Sequence, residues 1–315
     1  MTTTDFNPIR IEMPEGIRCA IALTYDTDMA GGYAPDLICH GHTMPALQEY
    51  ILKLCDTAET FGVHLQFFQI GNGLEDEDIR YLREMLGRGH VVDSHTYSHI
   101  PLITDDLAAL DHELALTNEL FEKRLGWKST VLRGPGGYHE GLRGKPENQR
   151  IIMRNGFHWV SCEWNRELIN SPLAYAIAAA GRDVPYAYNS GLIEFPLQGF
   201  TDRVWFETVK MDDRELYDAW RAEWGHKAVP PESRAPWTTA DALDTWIDYN
   251  LAAADYAYEH GLLWIICWHP YSHYVHDPEN KMLPALLQWA AGKRKKKKDQ
   301  AWICTLRDAV ALVAG

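Results

Sequence analysis

Four short runs in this 315-residue chain carry residues that could do chemistry, and each closes an apolar stretch. The first, I-A-L-T-Y-D-T-D, sets Asp26 and Asp28 two positions apart, so both carboxylates leave an extended chain on one side. Carboxylates that close repel unless a cation joins them, which makes the pair a candidate cation site; turn aspartates or a helix cap compete with that reading of the motif alone. The second, V-V-D-S-H-T-Y-S-H, puts His95 and His99 four apart, within reach of one metal ion if the chain turns helically after the strand. Fourteen histidines in a chain of this length yield about 0.6 such pairs by chance, so position, not spacing, carries the weight. Neutral imidazoles with one aspartate suit a divalent ion such as zinc and leave a position open to water and substrate.

The third run, V-L-R-G-P-G-G-Y, closes with Arg133 and follows it with glycines that let backbone N–H groups approach a ligand; a bare turn with an exposed arginine is the alternative. The fourth, W-I-I-C-W-H-P-Y-S-H-Y-V-H, offers His269, His273 and His276 as a rival metal site. His269, directly after the apolar run, is the better placed for proton transfer, and His273 and His276 read as surface or pocket-wall residues.

The elements that must position these groups are legible as a rhythm. Apolar, β-branched runs at 17–25, 63–71, 90–94, 129–133, 158–163, 192–197, 262–268 and 301–306 read as buried strands. Helical periodicity fills 44–61, 76–86, 105–125, 146–155 and 239–260, with Thr104 as the expected N-cap of the third helix and Gly126 as its end. Strand alternating with helix implies a parallel sheet, in which ligands bind at the carboxyl ends of the strands, where the four runs lie. The expected fold class is α/β, barrel-like rather than an open doubly wound sheet, as one domain over 1–315. A stretch at about 200–236, rich in Trp, Asp, Glu and Pro, breaks the rhythm and reads as an insertion covering a site or meeting another subunit.

Composition narrows the partners. The formal charge of −14 repels phosphate backbones and anionic lipid, so nucleic acid is not expected, and the basic run at 293–298 reads as a solvated loop. No stretch approaches the roughly 20 apolar residues of a membrane span, and M-T-T-T-D-F-N-P-I-R lacks the regions of a signal peptide, so the expected location is cytoplasmic. The six cysteines are scattered without a C-x-x-C pair, as buried reduced thiols would be.

Taken in order, T-Y-D-T-D, H-T-Y-S-H, R-G-P-G-G and W-H-P resemble the polysaccharide deacetylase family, the NodB homology domain, over about residues 17–276. The D-x-D form and the late D-Y-A-Y and W-H-P segments are similar to its cytoplasmic branch of peptidoglycan-deacetylase-like proteins, allantoinase-like proteins and cyclic imide hydrolases. The resemblance implies a distorted (β/α) barrel of about seven strands and a homo-oligomer. It makes Asp28, His95 and His99 the metal ligands, Asp26 the general base, His269 the catalytic histidine and Arg133 the arginine that orients the base. It also implies an aspartate partner for the histidine, for which Asp244 and Asp248 are the candidates. Thr27 stands between aspartates that are adjacent in the commoner family motif, and Gly136 stands where many relatives have an aromatic residue.

The implied function is a metal-dependent hydrolase, most simply zinc-dependent, that removes N-acetyl groups from a sugar or oligosaccharide by attack of metal-activated water, with a backbone N–H near Gly136 at the oxyanion and His269 protonating the departing nitrogen. Tyr33, Trp164 and Trp205 are candidates to stack on sugar rings, against core or interface packing. A small cytoplasmic amide, ureide or cyclic imide is the alternative substrate, and a non-catalytic metal-stabilised binding protein is the alternative of another class.

Overall fold

The computed structural model describes residues 6–28, 41–165, 184–199, 201–203, 205–206, 239–293 and 299–313. Their elements run β1 (Phe6–Pro8), β2 (Ile17–Asp26), α1 (Pro45–Thr60), β3 (Gln66–Gln69), α2 (Arg80–Gly87), β4 (Val91–Ser94), α3 (Leu107–Leu120), β5 (Val131–Tyr138), α4 (Pro146–Arg154) and β6 (Trp159–Asn165). They continue with β7 (Tyr186–Tyr188), β8 (Ile193–Glu194), β9 (Leu197–Gln198), α5 (Thr239–His260), β10 (Leu263–Trp268), α6 (Pro270–His276), α7 (Met282–Lys293), β11 (Gln300–Cys304) and α8 (Leu306–Ala311). None of the described helices is long and apolar enough to cross a membrane.

Strands β2 to β6 pair in parallel in sequence order, and β10 and β11 both run parallel to β2. Because β10 and β11 share partners Ala20 to Ala22, they flank β2 on opposite sides, with β3 taking over the β11 side at Thr24. The run at 192–197 splits into β8 and β9 because Pro196 between them has no N–H for a ladder; both lie along β6. Of the antiparallel edge of β1, β7 and β8, the periodicity announces β8 but not β1 or β7.

The sheet curls. Arg133 on β5 bonds Asp26 on β2, three strands away in the order β5-β4-β3-β2. On a flat sheet those backbones would stand ~14 Å apart with their side chains parallel and separate. The remaining gap is spanned by Gln198 of β9, whose side-chain oxygen accepts the Ile265 N–H (3.1 Å) and whose carbonyl accepts the Trp264 indole N–H (3.2 Å) of β10. The parallel sheet over β2, β3, β4, β5, β6, β9 and β10 is therefore curled but not closed by a backbone ladder, with side-chain bonds at this seam.

Strand alternation then decides what faces inward. Along β2, Cys19, Ile21, Leu23 and Tyr25 pack in the core shared with α1, α5 and α7. Ala20 and Ala22 pack in a second cluster with Phe68, Val131, Ile265 and Cys267. Thr24 and Asp26 continue the second parity on β2 and Asp28 follows just beyond it; Arg133 follows Val131 on β5, and His269 follows Cys267 beyond β10.

Two local expectations are corrected. Helix α3 is capped by Asp106, whose carboxylate accepts the Ala109 N–H (2.9 Å), while Thr104 serves Asp106 by accepting its N–H. The helix expected from Asp76 begins only at Arg80, after a 3₁₀ turn at Gly71–Glu75.

At the β6–β8 contact Glu194 is fully buried, accepting the N–H groups of Cys162 (2.6 Å) and Glu163 (2.9 Å) and the Tyr188 hydroxyl (2.8 Å). Burial pushes its pKa up to about 7 against those bonds, from 4.5. Between these values the folded chain holds a proton that the unfolded chain has lost, so this group lowers stability as pH rises through the window. Glu194→Gln mimics the protonated acid. Urea unfolding at pH 5 and pH 8 is expected to show wild type losing on the order of 2 to 3 kcal/mol relative to the variant; parallel curves would refute the assignment.

Candidate active site

Asp26 is buried, and the Arg133 guanidinium lies 3.0 Å from one carboxylate oxygen and 3.3 Å from the other through the same nitrogen. Arg133 is itself fully buried, donates to Thr24 Oγ1 (2.8 Å) and stacks over Phe68 at 4.4 Å. Burial alone would raise the Asp26 pKa, but Arg133, then His95 and His269, outweigh it and hold the carboxyl below its ordinary value. Asp26 is therefore an ionised acceptor fixed in one orientation. The Cys267 thiol, which burial keeps protonated, donates to it at 3.2 Å.

His95 and His99 come together without the helical turn expected. Thr96 and His99 adopt φ of 60° and 66°, a left-handed conformation costly for side chains of their kind, and the carbonyls of Thr96 and Tyr97 accept the N–H groups of Gly71 and Asn72. The two rings meet edge to face with centroids 4.8 Å apart. Burial lowers the His95 pKa, and burial followed by His95 lowers that of His99 to about 4, so both are neutral near pH 7. His95 Nδ1 is 3.0 Å from the Arg133 carbonyl, which cannot donate; the proton sits on Nδ1 and the Nε2 lone pair is presented to the cavity.

Asp28 completes the trio. Its Oδ2 lies 3.9 Å from His99 Nε2, and its Oδ1 is buried without a hydrogen bond, 3.4 Å from His269 Nε2. Two neutral imidazoles and a carboxylate with an orphaned buried oxygen fit a divalent cation. Among the described residues, Asp26, Cys267 and His269, and not that trio, bring their ligand atoms all within 4.8 Å of one another. That group fits less well, since Asp26 is committed to Arg133 and the thiol is protonated.

His269 is oriented by a residue that the motifs do not reveal. Asp202 Oδ1 lies 2.6 Å from His269 Nδ1, and Oδ2 accepts the His269 N–H at 2.8 Å. Burial would depress the imidazole, but Asp202 and then Asp28 outweigh it and push its pKa up to about 9, so His269 carries a proton at neutral pH. Asp202, rather than Asp244 or Asp248 on α5, is thus the histidine's partner. It lies in the stretch set aside as an insertion; the available signal was a lone aspartate shortly after an apolar run, as with Asp26. His273 is fully buried, not at the surface, with Nε2 3.3 Å from Asp202 Oδ2, and His276 stacks on Phe206 at 4.3 Å.

Asp26, Asp28, His95, His99, Cys267 and His269 line one cavity of about 220 Å³, together with Gly136, Gly137, Trp164 and Arg203. Gly136 and Gly137 have φ of 84° and 63°, and a side chain on Gly137 would meet Trp164 Cβ at 2.8 Å. Trp164 lines the cavity with its indole N–H on the Gly199 carbonyl, whereas Trp205 is buried against Trp246 and Tyr249 as core. Tyr33, Arg294 to Lys298 and most of 200–236 lie outside the described residues.

A curled parallel sheet thus brings an aspartate pair, two neutral imidazoles and a carboxylate-backed histidine together at its strand ends. The polysaccharide deacetylase family matches residues 17–144, the part that holds Asp26, Asp28, His95, His99 and Arg133, so the resemblance read from the motifs stands in sequence as well as in fold. No curated protein matches the chain. Among solved structures, a presumed polysaccharide deacetylase from Mycobacterium smegmatis is similar with a TM-score of 0.60 at 19% identity, over 99% of this chain and 94% of that one. A presumed polysaccharide deacetylase from Pseudomonas aeruginosa PAO1 gives 0.57 at 13% (95% and 94%), and Puue allantoinase gives 0.56 at 14% (96% and 93%). At these identities the likeness is one of fold.

Proposed function

We propose that the chain is a metal-dependent hydrolase of an N-acyl bond, a deacetylase acting on an N-acetylated sugar or related compound. The observation that carries this is the convergence of an ionised carboxylate, a ligand trio with an unpartnered oxygen and a protonated imidazole on one cavity. Asp28, His95 and His99 would hold the ion, zinc being the expected one, and when bound it would polarise the acyl carbonyl and acidify water. Asp26, held by Arg133, takes the proton from the attacking water. Backbone N–H groups near Gly136 are the candidates to receive the developing oxyanion, a donor worth about 3 kcal/mol in such sites. His269 delivers its Nε2 proton to the leaving nitrogen as the C–N bond breaks, so amide and water yield carboxylate and amine.

The size of the cavity, about 220 Å³ and below the usual ligand range of roughly 300 Å³ upward, favours as a second reading a small amide, ureide or cyclic imide. A single catalytic domain with 200–236 inserted, and a homo-oligomeric, cytoplasmic protein, belong to the same proposal; the five described cysteines, all buried and unbridged, support a reducing compartment. Turnover of N-acetylated sugars, acetyl esters and cyclic imides with added zinc tests the reading, and zinc bound without any turnover would sink it in favour of a binding protein.

His269→Ala is expected to lower kcat by on the order of 10² to 10⁴ while leaving zinc content unchanged, since the ring serves as acid rather than ligand. Elemental analysis beside steady-state kinetics checks this; undiminished turnover would remove the acid from the scheme.

A further inference from the structure

The H-x-x-x-H spacing of His269 and His273 reads in the sequence as a rival metal site, but the structure turns both rings onto one carboxylate. Helix α6 opens with Pro270, and the His273 N–H donates to the His269 carbonyl at 3.1 Å, so the two residues stand one helical turn apart. Asp202 lies between their rings, with His269 Nδ1 2.6 Å from Oδ1 and His273 Nε2 3.3 Å from Oδ2.

His273 is fully buried, its ring 5.1 Å from that of Trp268 and edge to face with Tyr25 at 5.9 Å. Both its nitrogens are buried without a hydrogen bond, and Asp202 is the acceptor that Nε2 faces. Leaving a buried N–H unmade is costly, so the group it faces is the group it serves. Burial lowers the His273 pKa; burial would raise that of Asp202, but His269 outweighs it and holds the carboxyl below its ordinary value. A neutral ring thus meets an ionised carboxylate, which can only accept, and the ring's one proton belongs on Nε2.

The rest of the Asp202 carboxylate is already engaged. Besides the His269 ring, Oδ1 accepts the Arg203 N–H at 2.8 Å and Oδ2 accepts the His269 N–H at 2.8 Å. A lysine or arginine as the fourth donor would offset the aspartate's charge, whereas a neutral imidazole fixes Oδ2 and leaves that charge to face His269. His273 stands behind the cavity rather than among its lining residues, so it acts through Asp202.

Resting on the hydrolase reading above, we propose that His273 is a positioning residue for the acid: its Nε2–H donates to Asp202 Oδ2 and holds the carboxylate in the rotation that keeps Oδ1 on His269 Nδ1 and turns His269 Nε2 to the cavity.

Two variants and one spectrum test this. His273→Leu removes the donor and keeps apolar bulk, and His273→Gln places an amide N–H where Nε2 stands. On the best substrate of the panel above, with zinc present, His273→Leu is expected to lower kcat by about 10- to 100-fold with KM little changed, the scale of a misplaced reacting group. His273→Gln is expected to recover most of that loss, and zinc content is expected to be the same in all three proteins. Equal damage by both substitutions makes His273 a packing residue and overturns the inference, as does undiminished kcat in His273→Leu. Loss of zinc from either variant makes it a ligand and overturns it too. NMR of isotope-labelled histidine ring nitrogens in the zinc-loaded wild type, with the His273 signals assigned by their absence in His273→Gln, reads the tautomer without any turnover. A neutral ring protonated on Nε2 is expected, and protonation on Nδ1 overturns the inference. A wild type that hydrolyses nothing but shows the Nε2–H tautomer keeps the Asp202 contact and removes the hydrolase.

Discussion

Asp28→Asn is expected to weaken zinc binding by more than about 100-fold and to reduce hydrolysis to background, the largest effect predicted for any single side chain here. Loss even of a group that only orients a metal ligand costs roughly 10- to 100-fold in affinity, and the loss of a charged ligand costs more. The geometry makes Asp28 hard to replace: its Oδ1 is buried with no hydrogen bond, and its Oδ2 shares the vicinity of His99 Nε2 at 3.9 Å. An asparagine there keeps the shape, drops the charge and offers one oxygen where a cation would use either. The variant retains Asp26, Arg133 and their bond, so the fold should survive. Zinc calorimetry and elemental analysis, set beside thermal unfolding, make the check; unchanged zinc affinity would transfer the ligand role away from Asp28.

The second large effect is expected at Asp202. Its carboxylate accepts the His269 backbone N–H, faces His269 Nδ1 and accepts the Arg203 N–H, and every one of these partners is a donor when the ring is protonated. An asparagine must turn its NH₂ toward one of them, so Asp202→Asn leaves donor facing donor in either orientation, at a cost of about 1 to 3 kcal/mol in stability. It also removes the charge that, with Asp28, holds the His269 pKa up to about 9. The acid form is then confined to lower pH, and a neutral ring whose Nδ1 accepts from the new amide is too weak an acid to protonate the leaving nitrogen. A kcat loss on the order of 10² to 10⁴, the worth of the acid itself, is expected near neutral pH. The pH profile is the discriminating measurement. Its alkaline limb is expected to move to lower pH in Asp202→Asn, whereas a purely structural aspartate would lower kcat at all pH values alike.

Both effects depend on residues whose visibility in the sequence differs, and the difference has a physical origin. Asp26 and Asp28, His95 and His99, Arg133 and His269 could each be picked out because a strand repeats every two residues. An apolar run of known parity therefore states which side chains emerge on the inner face and at which end. The eight apolar runs likewise found the main strands, since burial on both faces leaves a continuous hydrophobic signal. The edge pieces β1, which is exposed, and β7, which buries Tyr186 and Tyr188, are three residues long, too short for an alternation to stand out.

The turn that joins His95 to His99 is not legible in the same way, because a spacing of four says how far apart residues are along the chain, not that the backbone is helical. Two left-handed residues, with the Gly71 and Asn72 N–H groups pinning the carbonyls between them, make the turn instead. Asp202, His273 and Arg203 belong to the site only through contacts with groups 67, 71 and 175 positions away in the chain. No local rule of period or capping speaks to such meetings. The amino-acid order alone determined the strand parity and the kinds of ligand available; the curling of the sheet decided which charges meet, because electrostatic pairing depends on distance in space.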